Sequence, residues 1–238
     1  MVIGAVFAGG SGSRMGSTDT PKQYLMLGSK PILVHTVEKL YLHPALDHIV
    51  VLCPENWIRQ TLDMLSKSLP ADGRLAVIAG GATRNDTLAN AIAYVEKQFG
   101  LAPDTVLLTH DAVRPFVTHR IISENIEAAR KYGACDTVVA ASDTIVESAD
   151  NRFISAIPER RMMYQGQTPQ TFLALKLKTV FESLTTAEKA TLTDACKVFS
   201  LKGEPVRLVE GEVFNIKITY PFDLKVAAAL LEGAARDD

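Results

Sequence analysis

Long hydrophobic runs are missing from this chain of 238 residues. No apolar stretch approaches the roughly 20 residues that a bilayer crossing requires, so membrane residence is not expected. The opening MVIGAVFAGG is apolar but short, lacks a basic leader and runs straight into glycines. It reads as a buried strand, not as a signal peptide. Cysteine is scarce too: Cys53, Cys135 and Cys196 are scattered without metal-ligand spacing. That argues against a disulfide framework and suits a reducing, cytoplasmic setting. The net charge is only −2. Nucleic acid is therefore not an expected partner, and an anionic substrate has to be held by locally clustered cations. Internal repeats and low-complexity linkers are absent, and the length suits a single α/β domain over 1–238.

Two common nucleotide signatures are also lacking. The loop AGGSGSRMG, Ala8 to Gly16, is not GxxxxGKS/T, which argues against a P-loop kinase or ATPase. It is not GxGxxG either, and Cys53-Pro54 stands where an acidic residue would hold a ribose. That weakens a dinucleotide-dependent dehydrogenase.

What is present is an alternation of strand-like and helix-like segments. VIGAVFA from Val2, HIVVLC from His48, RLAVIAG from Arg74, TVLLTHD from Thr105 and DTVVAAS from Asp136 are short apolar or β-branched runs. They suit strands buried on both faces of a parallel sheet. Helical patterns lie between them at 32–42, 56–69, 83–99 and 119–132. The order predicts a Rossmann-like α/β fold with a mostly parallel central sheet. From about Ser142 to Gln170 the pieces DTIVES, RFISAI and MMYQGQ predict a protruding β-arm. Helices are then expected from Phe172 and Asp194, strands near Val206 and Phe214, and a terminal helix from Pro221.

Four sites carry chemistry. Gly9, Gly10 and Gly12 allow close backbone approach and can form an anion-binding nest. Arg14 and the following Pro21-Lys22 supply cations of the kind a triphosphate needs. Gly80 to Thr87 closes a strand and opens a helix whose N-terminus suits phosphate or a polar base edge; plain capping by Thr83 or Asn85 is part of its work. Asp111 ends an apolar strand, where it can bind Mg²⁺ or pair with Arg114. Arg160-Arg161 and Lys217 would by themselves be ordinary surface positions.

In series, AGGSGSRMG, PKQYL, GGATRNDTLANA, THDAVRPF, YQGQTPQTF, TDACKVF and NIKITYPFDLKVA resemble the cytidylyltransferases that act on small polyol phosphates. That group includes the methylerythritol-phosphate and ribitol-5-phosphate enzymes, and the likeness runs along essentially the whole chain. It implies transfer of CMP from CTP to a polyol phosphate, with Mg²⁺ held by Asp111. It makes Arg14 and Lys22 catalytic, as stabilisers of the transition state. CTP contacts are implied for Phe7, Ala8, Gly9, Gly10, Gly12, Gly81, Arg84, Asn85, Thr87 and Ala112. Arg160, Thr193 and Lys217 are implied to position the acceptor, and the arms are implied to exchange in a homodimer. Arg14, Lys22, Arg84, Arg114, Arg160 and Lys217 make six candidate cations for two phosphorylated substrates. YQGQTPQ, TDACK and NIKIT, with Phe214 where the methylerythritol-phosphate enzymes commonly carry aspartate, resemble the ribitol-5-phosphate enzymes. Ribitol 5-phosphate is therefore the expected acceptor, with methylerythritol phosphate as the alternative. A non-catalytic nucleotide-binding module is the rival of another class; the retained Arg14, Lys22, Asp111 and Lys217 argue against it.

Overall fold

A computed structural model describes residues 1–10 and 20–234. The chain begins with β1 (Val2–Phe7), a small hairpin of β2 (Met26–Leu27) and β3 (Lys30–Pro31), α1 (Ile32–Tyr41) and β4 (His48–Cys53). It continues through α2 (Ile58–Ser66), β5 (Leu75–Ala79), α3 (Arg84–Phe99), β6 (Val106–Asp111), α4 (His119–Tyr132) and β7 (Ala134–Ala140). Then come β8 (Tyr164–Leu173), α5 (Ala174–Glu182), α6 (Thr186–Ala190), α7 (Lys197–Ser200), β9 (Arg207–Glu210) and α8 (Pro221–Ala234).

Seven strands form one sheet in the order β5-β4-β1-β6-β8-β7-β9. β1 pairs parallel with β4 and β6, β4 with β5, and β7 with β9. Only β8 runs against its neighbours. The expected α/β fold with a mostly parallel sheet is therefore what the chain adopts. Every residue of β1 is buried, because helices cover both faces. Val6, Val51 and Leu108 pack with α1 and α4 on one side. Ile3, Val50 and Leu107 pack with Leu88, Ile92 and Val95 of α3 on the other. Burial of each such aliphatic side chain contributes roughly 1.5–3 kcal/mol. The sheet centre is thus the rigid platform on which the loops at its carboxyl end are mounted.

Local chemistry sets the helix ends. The Thr118 hydroxyl caps α4 by accepting from the Ile121 N–H, and Gly133 ends it at φ 89°, a left-handed conformation that favours glycine. Among the described residues no helix is long and apolar enough to cross a membrane.

Three expectations are corrected. Residues 164–170, read as the end of the arm, belong to β8 inside the main sheet. Its pattern is masked because its buried side chains are polar: Gln167, Thr168, Gln170 and Thr171. Pro169 also sits in it, opposite a register shift between Asp136 and Val138 where no ladder N–H is required of it. The segment leaving the sheet is therefore about 141–163, with one antiparallel bridge between Glu147 and Ala156. Near Phe214 no strand forms; the Asn215 N–H closes a turn onto the Glu212 carbonyl, and Lys217 lies in a loop. Phe172 lies in β8, which ends at Leu173, so the helix expected from Phe172 starts at Ala174.

Candidate active site

The chain order reverses direction across the sheet between β1 and β6: β4 and β5 lie on one side of β1 and β6 on the other. Ligands collect at the carboxyl ends of strands at such a switch point. Phe7 and Asp111, the last residues of the two strands, are register partners. A cleft of about 410 Å³ opens directly beyond them.

Its floor is the end of β1. The Ala8 N–H donates to the Leu52 carbonyl at 2.8 Å, and the Gln23 amide donates to the Ala8 carbonyl at 2.6 Å. The second bond pins the single turn Lys22–Tyr24 beneath the strand end, so Lys22 lines the cleft although it is only 9% exposed. Gly9 and Gly10 line it as well. Gly12 and Arg14 lie outside the described residues.

One wall is the N-terminus of α3. Thr83 and Asp86 form a capping box. The Gly81 N–H donates to the Thr87 hydroxyl at 3.0 Å, and that hydroxyl donates to the Thr83 carbonyl at 2.9 Å. A Cβ on Gly81 would sit 2.1 Å from the Asp86 Cβ, so only glycine fits this close approach. Free helix N–H groups and the positive dipole end make this wall attractive to anions.

The opposite wall is built around Asp111. Its Oδ1 receives Arg84 Nη1 at 2.5 Å, its Oδ2 receives Lys217 Nζ at 2.9 Å, and Arg114 Nε stands 3.7 Å from Oδ2. Burial pushes the Asp111 carboxyl up, but Arg84, Lys217 and Arg114 outweigh it and hold the group well below the usual carboxylate range. His110 fixes the Asp111 backbone from behind. Its Nε2–H donates to the Arg114 carbonyl at 3.1 Å, so its Nδ1 accepts from the Thr168 hydroxyl at 2.9 Å. That hydroxyl in turn accepts the Asp111 N–H at 3.1 Å. Burial brings His110 down to about 4, which keeps it neutral. Arg114 Nη1 donates to the Asn215 carbonyl at 2.7 Å, tying the loop that carries Lys217 to the strand end.

Of the residues singled out in the sequence, Phe7, Ala8, Gly9, Gly10, Lys22, Gly81, Arg84, Thr87, Asp111, Ala112 and Lys217 share this one cleft. Three stand elsewhere. Asn85 donates to the Lys189 carbonyl and braces α6. Thr193 is exposed and bonds its neighbour Asp194. Arg160 is exposed on the arm and donates to the Ser142 carbonyl at 3.3 Å. Gln23 was missed, because an uncharged side chain inside PKQYL carries no chemical signal of its own. Also unforeseen is a carboxylate pair beside α7: the Gln170 amide donates to Asp136 at 3.0 Å and to Asp194 at 3.5 Å. Burial pushes Asp136 up to about 7, with the Asp194 charge adding to it.

Among the described residues no group of three or more His, Cys, Asp or Glu could hold a metal ion. Asp111 is the single carboxylate lining the cleft there, and three cations close on it. This donor set does not fit a protein-built metal centre.

A switch-point cleft lined by a glycine-rich strand end, a helix N-terminus and converging cations defines an α/β nucleotidyltransferase. The family model described as 2-C-methyl-D-erythritol 4-phosphate cytidylyltransferase (IspD) matches residues 2–233. The chain belongs to that family and is a cytidylyltransferase. CTP and a sugar phosphate are the family's generic substrates, and its enzymes generally use a divalent metal. Among solved structures it is similar to 4-diphosphocytidyl-2C-methyl-D-erythritol synthase from Anaerococcus prevotii, with 28% identity and a TM-score of 0.81 over 97% of this chain and 96% of that one. The 2-C-methyl-D-erythritol 4-phosphate cytidylyltransferase of Francisella tularensis gives 26% and 0.78 over 95% and 98%. That of Thermus thermophilus gives 26% and 0.70 over 97% and 98%.

Proposed function

We propose that this protein transfers CMP from CTP to the phosphate of a small polyol phosphate, releasing pyrophosphate. The observation that carries the reading is the convergence of Lys22, Arg84, Arg114 and Lys217 on the β1/β6 switch point. The acceptor phosphate is already a nucleophile at neutral pH. One of its oxygens bonds to the α-phosphorus as the bond to the β-phosphate oxygen breaks, and the electron pair leaves with pyrophosphate. Catalysis then rests on positioning and electrostatic stabilisation. Lys22, with Arg14, stabilises charge on the α-phosphate. Gly81, Thr87 and the α3 N-terminus hold the nucleotide, and Lys217 meets the acceptor phosphate. Arg160 serves the cleft of a second subunit. In support, it does not reach its own, and its arm displays Val146, Phe153, Ile154 and Ile157 at 50–75% exposure.

Two acceptors belong to this class. The names of the similar structures support 2-C-methyl-D-erythritol 4-phosphate. A specific observation favours ribitol 5-phosphate as a second reading. Phe214 replaces the aspartate common in methylerythritol-phosphate enzymes, and its side chain lines the groove beside α8 rather than the cleft. The test is pyrophosphate release with CTP and each acceptor, against ATP, GTP and UTP as donors. CTP-dependent release with one acceptor is expected. No release with either would remove the proposal.

A further inference from the structure

The cation ring around Asp111 bears on where the divalent metal sits. The inference rests on the cleft being the CTP site. Asp111 is 4% exposed, and both of its oxygens are engaged: Oδ1 by Arg84 and Oδ2 by Lys217, with Arg114 Nε beside it. Arg114 Nε has no hydrogen-bond partner, so it is held near the carboxylate by charge alone. A divalent cation bound to Asp111 would gain one carboxylate and meet three positive charges at similar range. Mg²⁺ dehydrates reluctantly and is usually held by one or two carboxylates together with substrate phosphates and water, and here the one carboxylate lining the cleft among the described residues is already ringed by three cations. A triphosphate offers several oxygens with no adjoining guanidinium penalty.

We propose that Asp111 is a positioning residue that gathers Arg84, Arg114 and Lys217 into one phosphate-facing ring, and that the divalent cation is carried by the nucleotide phosphates rather than ligated by Asp111. Without the carboxylate, three like charges repel one another. Arg84 and Lys217, whose side chains are 28% and 40% exposed, are free to turn toward solvent. Arg114 stays, held by the Asn215 carbonyl. The cleft then becomes more positive by one charge yet worse organised for phosphate.

Calorimetric titration of CTP, with Mg²⁺ and with chelator, into wild type and Asp111→Asn separates the two roles. The factor by which Mg²⁺ tightens CTP should agree between the two proteins within about fivefold, the lower end of typical site couplings. Inorganic pyrophosphate, titrated in chelator, should bind Asp111→Asn roughly tenfold more weakly or worse, through lost pre-organisation. Loss of the Mg²⁺ factor in the variant, or tighter pyrophosphate binding, overturns the proposal. A second measurement needs no variant: electron–nuclear double resonance of the Mn²⁺–CTP complex on wild-type enzyme carrying ¹³C-carboxyl aspartate. No coupling of a directly bound ¹³C carboxylate is expected, and such a coupling overturns the proposal even if Asp111→Asn fails to fold. If CTP does not bind wild type at all, the reading of the cleft falls and this inference with it. Loss of the Mg²⁺ factor alone removes only the role given to Asp111.

Discussion

The two halves of the sheet solve different problems. In β5-β4-β1-β6 the strands are parallel and short, and β4, β1 and β6 are buried largely by aliphatic side chains while the edge strand β5 is half-buried. Their carboxyl ends bring a nucleotide-sized cleft together within one chain. In β8-β7-β9 the strands run both ways, and the space between β8, β7 and α4 is filled by a hydrogen-bonded network of Thr137, Asn125, Thr171 and the Pro169 carbonyl. This half carries the arm with Arg160 and leads to the loop with Thr193, and neither residue reaches the cleft. The first half carries most of the cleft; the second carries Arg160 on an arm which, in the proposed reading, serves another subunit.

The largest effect should come from the first half. Lys22→Ala is expected to lower kcat by about 10²–10³-fold, the scale of one lost preorganised electrostatic contact. Steady-state kinetics check it; near-normal kcat would remove Lys22 from the reacting centre.

The contrast between halves sharpens in a mixing experiment. Arg160→Ala and Lys22→Ala subunits, each inactive alone, should regain activity when exchanged into one dimer. Up to about half the sites would be intact by two-fold symmetry. Verified exchange with no recovered turnover would place Arg160 outside its partner's site.

A smaller effect concerns the α3 entry. Gly81→Ala forces a Cβ into Asp86 and should cost about 1–3 kcal/mol of stability, as overpacked sites do. CTP binding should weaken with it. Denaturant unfolding and titration check both, and an unchanged variant would show that the turn relaxes freely.

How much of this was legible follows the same division. The apolar runs at His48 and Val106 marked β4 and β6, because strands buried on both faces leave few alternatives to aliphatic residues. The glycine loop, Thr83 to Thr87 and Asp111 stood out because phosphate chemistry demands those residue types. β8 was not legible: Gln170 and Thr171 are buried by bonding Asp136 and Asn125, so polarity along that strand does not report exposure. Nor was the ring at Asp111. Arg84 and Lys217 lie 27 and 106 positions away, and only the folded sheet end brings them onto one carboxylate.

A further effect, confined to a pH window, belongs to the polar half. Half-buried Asp136 keeps its proton to about pH 7, whereas in the unfolded chain it ionises near its ordinary value of 3.8. Between those values the fold holds the extra proton, so rising pH removes stability across that window. Asp136→Asn cannot ionise and keeps an acceptor for Gln170. Its melting temperature should exceed wild type at pH 8, with the gap closing toward pH 4. A gap that does not change with pH would mean that Asp136 titrates as an ordinary carboxylate.

The central claim is that an acceptor phosphate oxygen attacks the α-phosphorus of CTP in this cationic cleft. The most direct measurement uses acceptor labelled with ¹⁸O on its phosphate, either polyol phosphate serving, and follows the products by ³¹P NMR. The expected result is a cytidine diphosphate product with ¹⁸O bridging its two phosphorus atoms, and unlabelled pyrophosphate. Label appearing in the pyrophosphate, or an unlabelled bridge in the product, would contradict it.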